Sequence, residues 1–345
     1  MSALVSISTL RDSDAAAHQI RTLPVVMISP HSQCNCRCVM CDIWRIREPQ
    51  EITPADLDRQ LASFRQLGVR WVVFTGGEPQ LNDQLGALAL MLRTEGIRVT
   101  MLTAGLLLEG HAESIAASID DVIVSLDGPP AVHNRIRRVP GAFGQLAAGI
   151  KALRQIRPEI AVRGRCTVQR LNYHSLCAVI QSAKEIGLNS ISFLAADLTS
   201  AAFNRPQGWQ PDRQNRVALD IEEIALLEAE LERLIREHCL DLDSGFVVES
   251  AAKLRRLALH FRAHLGLAPH VAPRCNAPWV SAVIEASGDV RPCFFHPALG
   301  NIHRRALADI VNSPEALQFR ANLNIADNPV CQRCVCSLQL QRQEQ

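Results

Sequence analysis

The sequence predicts an α/β fold, a partial (β/α)6 TIM-like barrel, and two observations carry that prediction. Six short apolar runs rich in Val and Ile alternate with longer amphipathic stretches up to about residue 195, as buried parallel strands alternate with covering helices. Each repeat takes about 25–40 residues, which fits a strand and a helix joined by a right-handed crossover. Because the rhythm stops near residue 196, we predict six units rather than a closed barrel of eight.

The predicted strands are the apolar runs themselves. They are Val25–Ile28, Trp71–Thr75, Val99–Thr103, Val122–Leu126, Val162–Val168 and Ser190–Leu194. Helical patterns lie between them, for example over Pro54–Leu67 and Leu85–Thr94. Thr53 followed by Pro54 is typical of a helix start, because Pro suits the first helical position.

Beyond the sixth run the chain changes in character. Asp197–Asn215 is rich in Pro, Gly, Gln and Asn and predicts a loop, whereas apolar residues at helical spacing predict helices over Leu219–His238 and Ala251–His264. The remaining predicted elements are a hairpin with strands Val280–Glu285 and Asp289–Arg291, and short helices over Arg305–Ser313 and Pro314–Asn322. The predicted regions are an N-terminal extension (1–22), the barrel (23–196), a loop and helical linker region (197–270) and a C-terminal domain (271–345).

Composition narrows the class of function. Lys and Arg number 36, Asp and Glu 35, and aromatic residues make up 4% of the chain, which argues against nucleic-acid binding. No uncharged apolar run reaches the roughly 18 residues of a membrane span, and the first twenty residues lack the apolar core of a signal peptide. We therefore expect a cytoplasmic protein with no nucleic-acid and no membrane partner. Its twelve cysteines would then stay reduced, which favours metal or redox roles over disulfides.

The first cysteine group follows the first predicted strand. It reads Cys34-Asn35-Cys36-Arg37-Cys38-Val39-Met40-Cys41. Three thiolates at the CxxxCxxC spacing of Cys34, Cys38 and Cys41 suit three corners of a four-iron, four-sulfur (4Fe–4S) cluster, whose fourth iron is then open to a ligand. A four-cysteine zinc site and unligated thiols are the alternatives for this segment.

The second and fourth predicted strands each end in residues suited to ligand binding. Thr75-Gly76-Gly77-Glu78-Pro79 ends the second strand; glycines let the backbone approach a ligand closely, and a carboxylate pairs with an ammonium group. The fourth strand ends in Ser125-Leu126-Asp127-Gly128. Alternation puts its hydroxyl and carboxylate on one strand face, where both suit ribose hydroxyls. A simple turn is the alternative for each segment.

The fifth predicted strand carries two arginines. Arg163 and Arg165 share one of its faces, and an Arg offers a bidentate fork to a carboxylate. Surface ion pairing is the alternative for both. Asn172, just beyond this strand, is a weaker candidate for a ligand contact.

In order and spacing these motifs resemble those of the radical S-adenosylmethionine (radical SAM) superfamily, over residues 25–195. Enzymes of that family bind SAM at the open iron and cleave it reductively to a 5′-deoxyadenosyl radical, which abstracts a substrate hydrogen. The resemblance implies Cys34, Cys38 and Cys41 as ligands of the SAM-binding 4Fe–4S cluster. It also implies SAM contacts by Met40 (adenine), Gly76, Gly77 and Glu78 (ammonium), Ser125 and Asp127 (ribose) and Arg165 (carboxylate). Cys36 departs from the pattern, which usually has another residue there.

A second cysteine group lies near the end of the chain. It comprises Cys275, Cys293, Cys331, Cys334 and Cys336. Four thiolates close a 4Fe–4S cluster fully, and a four-cysteine zinc site is the alternative. The arrangement resembles the auxiliary-cluster extensions of radical SAM enzymes, called SPASM or, in the shorter form, twitch, although the CxxCx5Cx3C run of full SPASM is missing. This resemblance implies one auxiliary 4Fe–4S cluster on Cys275, Cys293, Cys331 and Cys334, with Cys336 as a rival for the last position.

The expected function is a radical SAM oxidation of a peptide or small metabolite, with a flavodoxin- or ferredoxin-type electron donor. Peptide maturation by carbon–sulfur or carbon–carbon crosslinking, epimerisation, and a non-catalytic metal or electron-transfer protein are the alternatives. We expect the substrate between the barrel mouth and the C-terminal domain, lined by Asp197–Asn215 and residues near His296. Cys166 and Cys177 are candidate hydrogen donors in an epimerase, but these two and Cys239 are predicted to be packing residues.

Overall fold

The computed structural model describes residues 18–340, so most of the predicted N-terminal extension and the last five residues lie outside the described part. Strands β1–β6 are parallel and stand in the order β6-β5-β4-β3-β2-β1 within one sheet. The strands are β1 (Val25–Ile28), β2 (Trp71–Phe74), β3 (Arg98–Thr103), β4 (Asp121–Ser125), β5 (Ala161–Val168), β6 (Ser190–Ala195), β7 (Ser281–Ile284), β8 (Asp289–Arg291) and β9 (Gly300–Asn301). The predicted partial barrel is confirmed, with each of its six strands within one residue of the predicted bounds.

Helices follow the strands in the predicted rhythm. They are α1 (Pro54–Gln66), α2 (Leu85–Thr94), α3 (Ala112–Ser118), α4 (Pro130–Arg137), α5 (Ala142–Ile156), α6 (Leu176–Glu185), α7 (Pro211–Asn215), α8 (Ile221–Glu237), α9 (Cys239–Asp243), α10 (Ala251–His264), α11 (Ala277–Val280), α12 (Leu307–Val311), α13 (Pro314–Asn322) and α14 (Pro329–Gln332). Within residues 18–340, none of the helices combines the length and the apolar character needed to cross a membrane.

The start of α1 shows how the sequence fixes an element boundary. Thr53 accepts the backbone N–H of Asp56 at 3.2 Å, and the Asp56 carboxylate accepts the N–H of Thr53 at 2.9 Å. Pro54 occupies the first turn, where its missing N–H has no partner to lose. This reciprocal capping satisfies two of the free donors at the helix start, as the Thr-Pro pair predicts.

The two faces of the parallel sheet have different surroundings. One face is packed beneath the helices, and Phe74, Met101 and Phe193 are among its large buried side chains. On the opposite, inner face the side chains of Val73 and Ile123 are half-buried and line a cavity. The inner face is therefore free to take a ligand, while the helical face supplies the core.

The sheet continues past the sixth strand in a way the sequence did not predict. The predicted hairpin is confirmed, since β7 and β8 are antiparallel. However, β7 also pairs in parallel with β1, so one nine-stranded sheet runs from the barrel into the C-terminal region. This pairing satisfies the backbone groups of β1, which would otherwise be an open edge. Near the start of the described chain, the side chain of Asn312 exchanges two hydrogen bonds with the backbone of Ile20 at 2.8 and 2.9 Å.

The predicted loop over Asp197–Asn215 is wrong at its end. Residues Pro211–Asn215 form α7, which begins with a proline in its first turn. Two consecutive residues earlier in the segment, Phe203 and Asn204, adopt the left-handed conformation with φ of 59° and 61°, which is uncommon for an aromatic residue. The segment is therefore a defined structure rather than an open linker.

Candidate functional site

The cysteine loop lies beyond the C-terminal end of β1. Its four thiols and Met40 pack into one small cluster with residues just beyond β3. Cys36 and Cys38 are buried, whereas Cys34 and Cys41 are half-buried. The structure thus brings the three predicted ligands together at the edge of the sheet where α/β barrels bind ligands. Across residues 18–340, no three His, Cys, Asp or Glu side chains are gathered closely enough to hold a single metal ion.

Hydrogen bonds within the loop make its thiols unequal. A hydrogen bond from Cys36, together with the nearby charge of Arg137, lowers the pKa of the Cys38 thiol to about 7. Hydrogen bonds to its two neighbours raise the pKa of Cys36, and burial raises the pKa of Cys41 to about 12. Cys38 therefore ionises more readily than Cys36 or Cys41, and the thiolate is the form that binds metal.

The C-terminal end of α4 holds one side of the cysteine loop. The carbonyls of Ile136 and Arg137 accept the backbone N–H groups of Val39 and Arg37, each at 3.1 Å. The guanidinium of Arg137 also places Nη1 3.5 Å from the Sγ of Cys38. Sequence reasoning missed Arg137, because no spacing rule connects it with a cysteine 99 residues away.

The post-β6 segment (197–215) holds the other side of the loop through Asp42. The indole N–H of Trp209 donates to the Asp42 carboxylate at 2.5 Å, and Arg213 donates to the carbonyl of Val39 at 3.0 Å. The ring of Phe203 packs edge-on against Phe295, with centroids 6.3 Å apart. The segment folds onto the cysteine loop, whereas His296 lines the cavity under the inner face of the sheet. The prediction that this segment lines the substrate site is not tested by these contacts.

The two glycines after β2 bring this strand end against the loop that leads to the cysteines. Gly76 has a φ of 97°, and a Cβ there would lie 2.5 Å from the side chain of Ser29. A Cβ at Gly77 would lie 2.0 Å from the carbonyl oxygen of Gln33. The close backbone approach that these glycines permit is therefore to the protein's own loop. Their contacts with SAM stay a prediction.

Glu78 is fully buried and is bonded within the protein. Its carboxylate accepts the hydroxyl of Thr103 at 2.8 Å, the N–H of Ala104 at 2.8 Å and the N–H of Gln80 at 3.3 Å. Burial raises the pKa of Glu78, and these hydrogen bonds oppose that change. Glu78 thus ties the end of β2 to the end of β3, and its predicted ammonium contact is not tested by these bonds.

Ser125 and Arg165 lie side by side on the inner face of the sheet. They are register partners on β4 and β5, and both are half-buried. Arg165 lines the cavity, and its buried Nε has no hydrogen-bond partner among residues 18–340. Arg163 instead forms an ion pair with Asp121 at 2.8 Å, which is the surface pairing predicted as the alternative for this residue. Of the two arginines, Arg165 is the one placed to receive a carboxylate from a ligand.

The prediction that Ser125 and Asp127 share a strand face is wrong, because β4 ends at Ser125. The Asp127 carboxylate is fully buried, with Oδ2 2.6 Å from Nη2 of Arg137 and Oδ1 accepting the N–H of Thr167 at 3.0 Å. Asn172 donates to the carbonyl of Asp127 at 2.9 Å and is likewise buried. Both residues stabilise this loop. The ribose contact of Asp127 stays a prediction, and the buried, ion-paired carboxylate does not support it.

Other buried polar atoms at the same edge of the sheet have no partner in the described residues. Among them are Nε2 of Gln80, which follows β2, and both polar side-chain atoms of Gln169, which follows β5. A buried polar group without a hydrogen bond is costly. This edge therefore fits a polar organic ligand of the SAM kind. Sequence reasoning missed both glutamines, although each directly follows a strand or its motif.

The second cysteine group surrounds the cavity under the inner face of the sheet. All five of its thiols line this space of about 210 Å³, together with the inner-face residues Met27, Val73, Leu102, Ile123 and Arg165. Burial raises the pKa of Cys293 and of Cys331 to about 11. The thiols come from three separate parts of the chain, and the fold gathers the four predicted ligands around one space. Cys336 lines it as well, so the geometry leaves it as a rival for the last position.

Few polar contacts hold the second group. Nε2 of His296 lies 3.4 Å from the Sγ of Cys331, and the thiol of Cys334 donates to the carbonyl of Cys336 at 2.6 Å. Asn276 anchors the returning chain, because its side chain exchanges hydrogen bonds with Leu340 at 2.7 and 3.0 Å. Asn328 is a second anchor, because its side chain accepts the N–H groups of Val330 and Cys331 at 3.0 and 3.1 Å.

The remaining cysteines lie outside both groups. Cys166 is fully buried among the helix-facing residues of β5, and Cys177 is buried at the start of α6. Neither lines the cavity, so the structure gives no support to either as a hydrogen donor, and both are packing residues as predicted. Cys239 is exposed at the start of α9, and the prediction that it packs in the core is wrong.

Comparison with known protein families agrees with this geometry. Residues 28–189, which contain the first cysteine group and β2 to β5, match the model of the radical SAM superfamily. Residues 275–335 match SPASM, described as an iron–sulfur cluster-binding domain. The two matches together contain every predicted ligand of both clusters.

Two curated relatives illustrate how far the similarity extends. Pre-heme d1 synthase of Dinoroseobacter shibae is 26% identical over 329 residues, which cover 90% of this chain and 78% of that protein. AdoMet-dependent heme synthase of Nitratidesulfovibrio vulgaris is 31% identical over 159 residues, which cover 45% of this chain and 43% of that protein. The latter match thus spans less than half of the relative.

Solved structures show the same architecture. Streptococcus suis SuiB bound to S-adenosylmethionine superposes with a TM-score of 0.64 at 16% identity, covering 94% of this chain and 75% of that chain. At this identity the likeness shows the fold alone. Together with the family matches and the two cysteine groups, it identifies the chain as a member of the radical SAM superfamily that carries a C-terminal SPASM domain.

Proposed function

We propose that this radical SAM enzyme oxidises a largely apolar small metabolite held between the inner face of the barrel and the second cysteine group. Membership in the superfamily implies SAM and a 4Fe–4S cluster, and the SPASM domain implies a further 4Fe–4S cluster. We assign the first cluster to Cys34, Cys38 and Cys41, and the second to Cys275, Cys293, Cys331 and Cys334. A flavodoxin- or ferredoxin-type protein is the proposed electron donor.

One observation carries the proposal: a single cavity is lined both by inner-face residues of the barrel and by the second cysteine group. The lining of the cavity includes Thr75, which directly precedes the Gly76-Gly77 motif, and Arg165 on β5. A molecule in this space would therefore contact the predicted SAM side and the auxiliary thiols at once. Such proximity lets one bound substrate meet two redox groups.

The residues of the chain supply binding and orientation. The lining is mainly apolar, with Trp71, Leu102 and Phe295 among its side chains, so it favours an apolar substrate and excludes water. Arg165 is the proposed partner of the SAM carboxylate, because its guanidinium faces this space and its Nε has no partner among the described residues. These side chains would hold the substrate beside bound SAM.

When bound, SAM and the cluster held by Cys34, Cys38 and Cys41 would supply hydrogen-atom abstraction, and the cluster held by Cys275, Cys293, Cys331 and Cys334 would supply an acceptor for the remaining electron. With the loss of a proton, the substrate would be oxidised by two hydrogens overall. The chain's part is to keep the substrate dry and between the two groups.

The relatives sharpen the class of substrate. The relative that aligns along 90% of this chain is named for pre-heme d1 synthesis, and another for heme synthesis. We therefore favour a porphyrin-type substrate over a peptide, although a structural neighbour, SuiB, was crystallised with its precursor peptide.

The test is an anaerobic assay of the reconstituted protein with SAM and dithionite. We expect 5′-deoxyadenosine, with more formed when a porphyrin bearing carboxylate side chains is added than when a peptide library is added, and a porphyrin product lighter by two hydrogens. Fully iron-loaded protein that forms no 5′-deoxyadenosine would contradict the radical SAM reaction. A product of unchanged mass would contradict oxidation.

Epimerisation is a second candidate, favoured by one observation. Five thiols line the cavity, whereas a closed 4Fe–4S cluster takes four cysteines. The fifth thiol, Cys336 in our assignment, would be available to return a hydrogen atom to the substrate. The discriminating measurement is the same assay in D2O: an epimerase product keeps its formula and gains one deuterium, and Cys336→Ala abolishes that gain.

A further inference from the structure

Outside the predicted ligands, the buried charge of Arg137 contacts the first cysteine group. The side chain of Arg137 is 9% exposed and that of its partner Asp127 is 0% exposed. A guanidinium buried this deeply requires compensation by charge and hydrogen bonds. The contacts of the guanidinium therefore indicate the role of Arg137.

The guanidinium is shared between an acid and a sulfur. Nη2 lies 2.6 Å from the Asp127 carboxylate, whereas Nη1 lies 3.5 Å from the Sγ of Cys38. One end of the fork is thus fixed by a carboxylate that is itself held by the N–H of Thr167. The other end is left to donate to the sulfur of a predicted iron ligand.

The backbone around Arg137 fixes this contact further. The carbonyls of Ile136 and Arg137 accept N–H groups on both sides of Cys38, from Val39 and Arg37. Arg138, the next residue, ends the helix in the left-handed conformation at a φ of 55°. The helix end and the cysteine loop therefore form one unit, and the cation has little freedom to move away from the sulfur.

We propose that Arg137 is a positioning residue that tunes the first cluster: it donates a hydrogen bond to the sulfur of Cys38 and provides a fixed positive charge beside the cluster. The inference rests on the proposed assignment of that cluster to Cys34, Cys38 and Cys41. Hydrogen bonds to cluster sulfurs and nearby charge set reduction potentials. Since the reduced cluster carries one more negative charge, the buried cation favours it and makes the potential less negative. Asp127 partly opposes this effect from the far side of the guanidinium.

The test is an EPR-monitored redox titration of the full-length, reconstituted protein with and without SAM. Because only a cluster with an open iron binds SAM, the signal that SAM changes identifies the first cluster. In Arg137→Gln we expect its midpoint potential to become more negative, with a smaller change in Arg137→Lys, which keeps the charge but loses the fork. In Asp127→Asn we expect a shift in the opposite direction.

The opposite signs of these shifts distinguish tuning of the cluster from damage to the fold. Loss of packing would not make the midpoint potential more negative in one variant and less negative in the other. Should Arg137→Gln fail to load iron, the Lys and Asn variants still decide the question. Normal iron content with an unchanged potential in Arg137→Gln, or in both other variants, overturns the inference alone. A wild-type protein without a SAM-responsive signal overturns the proposed cluster assignment and this inference with it.

Discussion

The two cysteine groups are held in different ways. The first lies within residues 34–41. It is contacted by the end of α4, by the post-β6 segment and by the strand end at Gly76 and Gly77. The second is assembled from three separate segments around a cavity, with Asn276 as its main polar anchor. The fold thus supports the first site through many contacts, whereas we expect the second site to depend more on its proposed cluster to hold its segments in place, as structural metal sites often do.

This difference matches what each site is proposed to do. The first must keep one iron open while SAM binds and reacts, so its loop needs support from the protein rather than from a fourth ligand. The second takes all its ligands from the protein, so the cluster itself can serve as the crosslink.

The largest effect is expected from the first group. Cys38→Ser removes a proposed ligand of the first cluster, so 5′-deoxyadenosine formation should fall below detection, with the barrel still folded by circular dichroism. Cys239→Ser is the matched control, because Cys239 is exposed and outside both groups, and it should retain wild-type rates. Normal SAM cleavage in Cys38→Ser would refute the assignment of the first cluster.

Loss of the second cluster should separate SAM cleavage from product formation. In Cys293→Ser we expect 5′-deoxyadenosine to persist, because the first group is intact, while the oxidised product disappears for want of an electron acceptor. Product and 5′-deoxyadenosine are quantified in the same reaction by mass spectrometry. Equal loss of both would show that the second group acts on SAM cleavage rather than on the substrate.

Metal removal should affect the two regions unequally. After chelation we expect hydrogen exchange to increase most over residues 329–340, which carry three thiols of the second group and one side of the Asn276 anchor. Residues 34–42 should change less, since their N–H and carbonyl groups bond to α4 and the post-β6 segment. Equal loss of protection in both segments would remove the contrast on which this account rests.

A smaller effect is expected on the stability of the protein at acid pH, and it arises from His133 near the first cysteine group. Burial, together with the charge of Arg137, lowers the pKa of His133 to about 3. The unfolded chain then binds more protons than the folded one between pH 6.5 and 3, so stability falls as the pH falls through this window. From pH 7 to pH 5 this side chain should reduce the free energy of unfolding by about 2 kcal/mol. Anaerobic denaturant titrations should show a smaller loss in His133→Gln; an identical loss would contradict the prediction.

The sequence predicts the barrel well, and it places the candidate ligands of the first cluster in one short segment, because both features are encoded in local patterns. Strand and helix bounds follow from apolar periodicity, and the three predicted ligands of the first cluster lie within eight residues. The support of that site is not local: Arg137, Asp127 and Trp209 reach the loop from distant elements. Asp127 also shows how a motif misleads, since the strand ends two residues too early for the predicted alternation to hold.

The second site marks the limit of spacing rules. Spacing identified its five cysteines, but their convergence on the inner face of the barrel depends on the pairing of β7 with β1, which no local pattern encodes. The incorrect prediction for the end of Asp197–Asn215 has the same cause. Its composition indicates a loop, yet burial of Trp209 against Asp42 fixes it on the cysteine loop.

Metal analysis combined with EPR tests the central claim most directly. Anaerobically reconstituted wild-type protein should hold about eight irons and eight sulfides per chain, with one of its two EPR signals altered by SAM. Cys38→Ser should lose the SAM-responsive signal and Cys293→Ser the other, each keeping about four irons. Zinc in place of iron at either group, or a single signal lost in both variants, would contradict the account of two separate clusters.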